Sequence, residues 1–153
     1  MKVSNWIPKK KDHRYAYLTF QAKLIKKHFQ FLTCKIEYNV LKCKGWLQPD
    51  DCINRYQVLI EYVLGKEPKT TILSPDILPN RTIHMYRDHS LCLLYPPDLK
   101  WTEQTKVYEY TIPWISEWIV YYEIYLLNGN HWEGRESPEH FKESQKNTNE
   151  DFD

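Results

Sequence analysis

From Tyr15 onward, apolar residues recur at helical spacing: Leu18, Ala22, Ile25 and Phe29 follow one another at steps of four, three and four. They share one face of a helix, and Lys23, Lys26 and Lys27 point mostly elsewhere. At Phe31 the period changes to two. Leu32, Cys34, Ile36, Tyr38 and Val40 alternate with Thr33, Lys35, Glu37 and Asn39, which predicts a half-buried strand with Cys34 on its apolar face. A second extended piece runs from Leu41 to Leu47, includes Cys43 and ends near the turn composition Pro49-Asp50-Asp51, beside Cys52. Tyr56, Val58, Ile60, Tyr62 and Leu64 form the next alternating set, closed by Gly65, and Thr70 to Leu73 makes a short fourth strand stopped by Pro75. Short connections between successive strands favour an antiparallel meander.

Between Ser74 and Tyr110 the periodicity is weak, and Pro75, Pro79, Pro96 and Pro97 interrupt the chain. A long irregular stretch inside a compact domain usually carries function, and this one contains Cys92. Thr111 and Pro113 then mark a helix start, Ile115, Trp118, Ile119, Tyr122 and Leu126 its buried stripe, and Asn128-Gly129 its end. The order predicts an α+β domain: N-terminal helix, four-stranded antiparallel meander, active-site loop, C-terminal helix. Residues 1–14 read as a loose N-terminal segment, 15–142 as the domain, and 143–153 as a disordered polar tail.

Composition narrows the function classes. The chain has 153 residues, enough for one domain with a full core, and 42% hydrophobic residues with 27% charged ones exclude a disordered chain. Glu117 and Glu123 interrupt its longest apolar stretch, so no membrane span is expected. Lys9, Lys10 and Lys11 are followed by no apolar segment and therefore make no secretory signal, which predicts a cytoplasmic protein with reduced thiols. A net charge of +1 supplies no global field for nucleic acid, and the lysine runs read first as solvated helix faces, so no nucleic-acid partner is expected. Cys34, Cys43, Cys52 and Cys92 form no C-x-x-C pair, which argues against structural zinc. No P-loop, dinucleotide fingerprint or Ser-His-Asp order is visible, and no cofactor is expected.

Cys92 is the candidate nucleophile. Acyl transfer through a thioester needs a reachable thiol that can become thiolate, and a free cysteine, with a pKa of about 8.5, already supplies a small thiolate fraction at neutral pH. A loop held by a sheet and a helix provides that access. The competing reading is a small apolar residue packed between Leu91 and Leu93.

The same element order is that of the ubiquitin-conjugating fold, and the sequence resembles that family in its middle. Gly65-Lys66-Glu67-Pro68-Lys69-Thr70-Thr71-Ile72-Leu73-Ser74-Pro75 is similar to the end of its third strand, the proline-bearing turn and the fourth strand. His84-Met85-Tyr86-Arg87-Asp88-His89-Ser90-Leu91-Cys92-Leu93 resembles the stretch leading into its catalytic cysteine, and Trp101 stands where the family commonly keeps a tryptophan. The resemblance is closer to a bacterial branch, through Leu91-Cys92-Leu93-Leu94-Tyr95-Pro96-Pro97, Ile112-Pro113-Trp114-Ile115-Ser116-Glu117-Trp118, and Gly129-Asn130-His131-Trp132-Glu133-Gly134 with His140. These resemble the conjugating-enzyme-like proteins of bacterial anti-phage operons, including short type II CBASS systems, over about Phe31 to His140.

The resemblance implies a cysteine-dependent transferase. Cys92 would receive the C-terminus of a partner, by resemblance a cGAS/DncV-like nucleotidyltransferase, as a thioester and pass it on in antiviral defence. Without an adenylating motif, the chain would need a separate activating enzyme or an already activated partner. The chain departs from the family at one position. Eukaryotic members carry a His-Pro-Asn triplet before the cysteine, and that Asn position falls here on His84, so His84 takes the oxyanion-supporting role or the role is absent. Leu78-Pro79-Asn80 lies further upstream and reads as a turn. Asp88 reads as a turn former before an acid that guides an amine. His131, His140, Trp132 and Trp101 could wall the cleft, with packing the simpler role for the tryptophans. The alternative function is a catalytically inactive docking module of the same fold.

Overall fold

The computed structural model describes residues 13–134. Residues 1–12 and 135–153, which include most of the expected loose N-terminal segment, His140 and the expected polar tail, lie outside the described residues.

Helix α1 spans His13–His28 and opens two residues ahead of Tyr15. Leu18 and Ile25 are buried as their spacing predicts, and Ala22 and Phe29 pack half-buried against the same core. A polar residue, Gln21, is buried beside them. Four strands follow: β1 (Thr33–Glu37), β2 (Val40–Leu47), β3 (Tyr56–Val63) and β4 (Lys69–Ser74). They form one antiparallel sheet in sequential order, the expected meander.

The first strand is shorter than its alternation suggests. Instead of continuing through Val40, the chain reverses at Tyr38-Asn39, whose φ values of 49° and 60° make a two-residue turn of the kind that matches strand twist. Tyr38, expected to point inward, is 99% exposed. The turn also resets the phase, so that Cys34 and Ile36 pair with Cys43 and Leu41 on the same face of the sheet. That face carries Leu41, Cys43, Leu47, Tyr56, Val58, Ile60, Tyr62 and Ile72, all buried in one apolar core. The opposite face presents Lys35, Lys42, Lys44 and Trp46 to solvent, with the Arg55 guanidinium 4.4 Å above the Trp46 ring.

Helix α2 spans Val107–Leu127 and likewise differs from its expected start. Pro113 lies inside the helix rather than at its first position, and Thr111 is fully buried with its hydroxyl accepting from the Tyr95 hydroxyl at 3.1 Å. The helix begins earlier because its cap comes from elsewhere in the chain. Lys106, at the N-cap, makes no capping bond through its side chain. Gln21 of α1 instead accepts from the Val107 N–H at 3.1 Å and donates to the Thr105 carbonyl at 2.8 Å. One buried amide thus satisfies an orphan helix donor and ties the two helices together. Gln21→Leu should cost about 1–3 kcal/mol, because the buried Val107 N–H and the part-buried Thr105 carbonyl both lose their partner; equilibrium denaturation measures it, and an unchanged midpoint would contradict the role.

Ile115, Trp118 and Ile119 of the expected stripe are buried, Tyr122 is half-buried against Tyr56 of β3, and Leu126 is half-exposed near the helix end. Glu123, buried one residue along, accepts from the Ile53 N–H at 2.7 Å and the Tyr56 hydroxyl at 3.3 Å, which anchors α2 to the sheet. Asn128 and Gly129 (φ 77°) close the helix as expected. Among the described residues no helix is long and apolar enough to cross a membrane.

Candidate functional site

The stretch that carries Cys92 is irregular in sequence but ordered by backbone pairing. Asn80 starts it: its side-chain oxygen accepts from the Ile83 N–H at 3.1 Å, so Leu78-Pro79-Asn80 leads into a turn, as expected. Residues 84–92 then fold back on themselves as a small hairpin. Met85 bridges Leu91, the Tyr86 N–H donates to the Ser90 carbonyl at 2.8 Å, and the Cys92 N–H donates to the His84 carbonyl at 2.8 Å. The outer arm of the hairpin docks on the edge of the sheet, where the Leu91 N–H reaches the Thr70 carbonyl at 2.8 Å and Ser90 bridges Thr71 of β4. Cys92 and His84 are therefore directly opposed across two short arms.

The tip of the hairpin explains Asp88. Its carboxylate accepts from the Ser90 N–H and hydroxyl and pairs with Lys69 Nζ at 2.9 Å. The Ser90 hydroxyl first, then Lys69, hold the carboxyl well below the usual carboxylate range. All these partners serve the turn, in keeping with the turn-former reading. His89, with φ 67°, occupies the same turn and does not line the cleft.

Helix α2 supplies the opposite wall. Trp114, Glu117, Trp118 and Tyr121 fall at i, i+3, i+4 and i+7 and form one face that looks onto Cys92 and His84 across a narrow cleft. Trp118 fixes the distance between the walls: its Nε1–H donates to the Ile83 carbonyl, buried, at 2.6 Å. Trp132 closes the end, tilted against His84 with ring centroids 5.4 Å apart and packed near Trp118 and Tyr121. Trp132 therefore does wall the cleft. Trp101 does not; it packs among Tyr62, Tyr95 and Tyr110. His131 is exposed beyond the helix end, its N–H held by the Asn128 side chain, and is absent from the cleft lining.

The alternation and motif reasoning missed Glu117 and Tyr121. The signal was present in the spacing of Trp114, Glu117, Trp118 and Tyr121, but only the adjacent stripe that faces the core was recognised. Trp118→Phe keeps the ring and removes the bond to Ile83, so a loss of about 1–3 kcal/mol is expected from the stranded carbonyl. Thermal denaturation measures this, and a variant as stable as the parent would contradict a pinning role for the indole N–H.

The four cysteines differ sharply in setting. Cys92 is half-buried and lines the cleft. Cys43 is buried in the core, where its contact with Cys34 and desolvation push its thiol up. Cys52 is pushed up to about 11 by burial and then by the Glu123 carboxylate. Cys34 faces the inner side of β1, away from the cleft. His84 is 2% exposed and has a left-handed backbone, φ 56°, a conformation costly for most residues and more accessible to histidine than to branched ones. Strain of this kind gathers at functional sites and is held only where neighbours over-determine it, here through the Cys92 N–H and through the His84 N–H to the Arg81 carbonyl at 3.1 Å. Among the described residues there is no group of three or more His, Cys, Asp or Glu placed to hold a metal ion.

No curated protein matches the chain in sequence. The family described as Type II CBASS E2 protein matches residues 21–140, which takes in the second half of α1, the sheet, the Cys92 hairpin, α2 and the Trp132 segment. With an N-terminal helix, a four-stranded antiparallel sheet and a C-terminal helix in E2-like order, and with its family profile spanning most of its length, the chain belongs to the Type II CBASS E2 proteins.

Proposed function

We propose that the protein is a conjugating enzyme of CBASS defence in which Cys92 carries an acyl group as a thioester. The observation that supports this most is the placement of one half-buried thiol opposite His84, in a cleft walled by aromatic rings. The Cys92 thiolate attacks the carbonyl carbon of an activated C-terminus; the carbon–sulfur bond forms and the earlier activating group departs. His84 donates a hydrogen bond to the oxyanion of the tetrahedral intermediate, the role that Asn takes in eukaryotic members. An amine then attacks the thioester, its proton passes to a base, and the Cys92 thiolate leaves. Glu117, the carboxylate of the cleft, attracts that amine as ammonium and accepts its proton. Trp114, Trp118 and Trp132 limit water at the thioester, which favours aminolysis over hydrolysis.

By family likeness the acyl donor is the C-terminus of the CBASS nucleotidyltransferase, activated by a separate enzyme or already activated. Co-expression with that partner is expected to yield a covalent adduct on non-reducing gels that thiol reagents remove. An adduct that resists thiol, or none at all, would favour the alternative of an inactive docking module.

A further inference from the structure

Away from the cleft, the first hairpin of the sheet places two thiols face to face. Cys34 of β1 and Cys43 of β2 are direct partners in the antiparallel register. The type of pair follows from the turn. Glu37 and Val40 flank the two-residue Tyr38-Asn39 loop and form its closing hydrogen-bonded pair. Pair types alternate along an antiparallel ladder, so Ile36 with Leu41 is a non-hydrogen-bonded pair, Lys35 with Lys42 a hydrogen-bonded one, and Cys34 with Cys43 again non-hydrogen-bonded. Such pairs bring Cα atoms to about 4.5 Å, at the short end of the range of about 4.4–6.8 Å that a disulfide bridges. Both side chains lie on the inner face of the sheet, and both thiols are free.

We infer that Cys34 and Cys43 form a dithiol site that closes reversibly to a cross-strand disulfide on meeting a small-molecule disulfide of the glutathione class. The two thiols are suited to different steps. Cys34 is half-buried on β1, an edge strand, and can be reached from solvent, whereas Cys43 is 1% exposed. A hydrogen bond from Cys43 lowers the Cys34 thiol pKa, burial opposes that shift, and the Lys26 ammonium of α1 adds to it. Cys34 thus attacks first. Its thiolate forms a mixed disulfide with one half of the oxidant and expels the other as a thiolate, which takes up a proton. Cys43 then loses its proton, attacks the Cys34 sulfur and expels the second half. Two protein thiols and one small disulfide become one protein disulfide and two small thiols, so the oxidant gains the two electrons that the dithiol loses.

A bridge between directly opposed strands spans the lower limit of Cα separation, which makes it reducible rather than permanent. It would also spare the transfer site, because β1 is one edge of the sheet and the Cys92 hairpin docks on β4, the other.

Treating the folded protein with oxidised glutathione, blocking remaining thiols under denaturing conditions and digesting with trypsin tests the inference. Lys35 and Lys42 separate the two cysteines in sequence, so the linked peptides are seen only if the bond forms. The expected product joins the Cys34 and Cys43 peptides, disappears with dithiothreitol, and is replaced in Cys43→Ser by a glutathione adduct on Cys34. Unreacted thiols at both positions, a glutathione adduct that persists on Cys34 of the parent protein, or a link between any other pair would overturn it. None of these outcomes depends on thioester transfer at Cys92.

Discussion

Cys92→Ala is expected to abolish the thiol-labile adduct with the partner while leaving the fold intact, and Cys92→Ser is expected to convert it into an ester that survives thiol treatment. The expectation follows from the setting of each thiol. Cys34 and burial raise the Cys43 thiol, burial and Glu123 raise Cys52 to about 11, and neither lines the cleft, so neither substitutes there for a lost nucleophile. Cys34 lies on the edge strand β1, outside the cleft. The serine variant separates chemistry from binding. An oxygen nucleophile attacks more slowly, but its ester is a poorer acyl donor to an amine, so the adduct accumulates once formed. Alanine at this half-buried position removes a single sulfur, a small change in packing. Loss of the adduct with an unchanged melting transition is therefore a statement about chemistry.

The second large effect is expected at His84. If its imidazole donates to the oxyanion, His84→Ala slows transfer by about 10²–10³-fold, or about 2.7–4 kcal/mol of barrier. His84→Asn retains most of the rate, since an amide also donates and asparagine accepts the left-handed backbone that position 84 requires (φ 56°). His84 is buried, so alanine also leaves a gap beside Trp132, and the comparison needs both variants. Rates from a single turnover of preformed thioester, with circular dichroism as a check on folding, distinguish the roles. Asparagine suits the left-handed backbone better than alanine, so a packing role would separate the variants in stability alone and leave them equally slow per folded molecule; oxyanion donation separates them in that rate.

Much of this architecture could be read from the sequence, and the places where it could not have physical causes. The helix of Leu18 and Ile25 and the strand of Tyr56, Val58, Ile60 and Tyr62 are regular because each buries one face, and that requirement writes a period into the chain. The reversal at Tyr38-Asn39 was hidden because an aromatic residue continued the alternation by chance. The clue was the adjacent pair Val40-Leu41, where the phase shifts so that Leu41 rather than Val40 points inward. The start of α2 was misplaced because its cap is Gln21, 86 residues away, and no local pattern encodes it. Pro113 has the residue type of a helix start and is tolerated one and a half turns inside.

The site divides in the same way. Cys92 and His84 were singled out from sequence, but the reason they meet was not visible there. They are opposed because a nine-residue stretch pairs with itself through short main-chain bonds and leans on the edge of β4, contacts that depend on the sheet already being in place. Glu117 and Tyr121 were overlooked because their face of α2 is neither the core stripe nor fully exposed; it looks into a cleft that exists only once the hairpin has formed. Trp101, marked by family likeness, belongs to the aromatic cluster around Tyr95, which buttresses Trp114 from behind rather than meeting the thiol.

The central claim is that Cys92 is the acyl carrier, and peptide mapping of the covalent adduct by mass spectrometry under non-reducing conditions tests it most directly. The account predicts the C-terminal residue of the partner joined through its carbonyl to the Cys92 sulfur, with Cys34, Cys43 and Cys52 unmodified by the partner. An adduct mapped to another residue, or one that persists in Cys92→Ala, would contradict it.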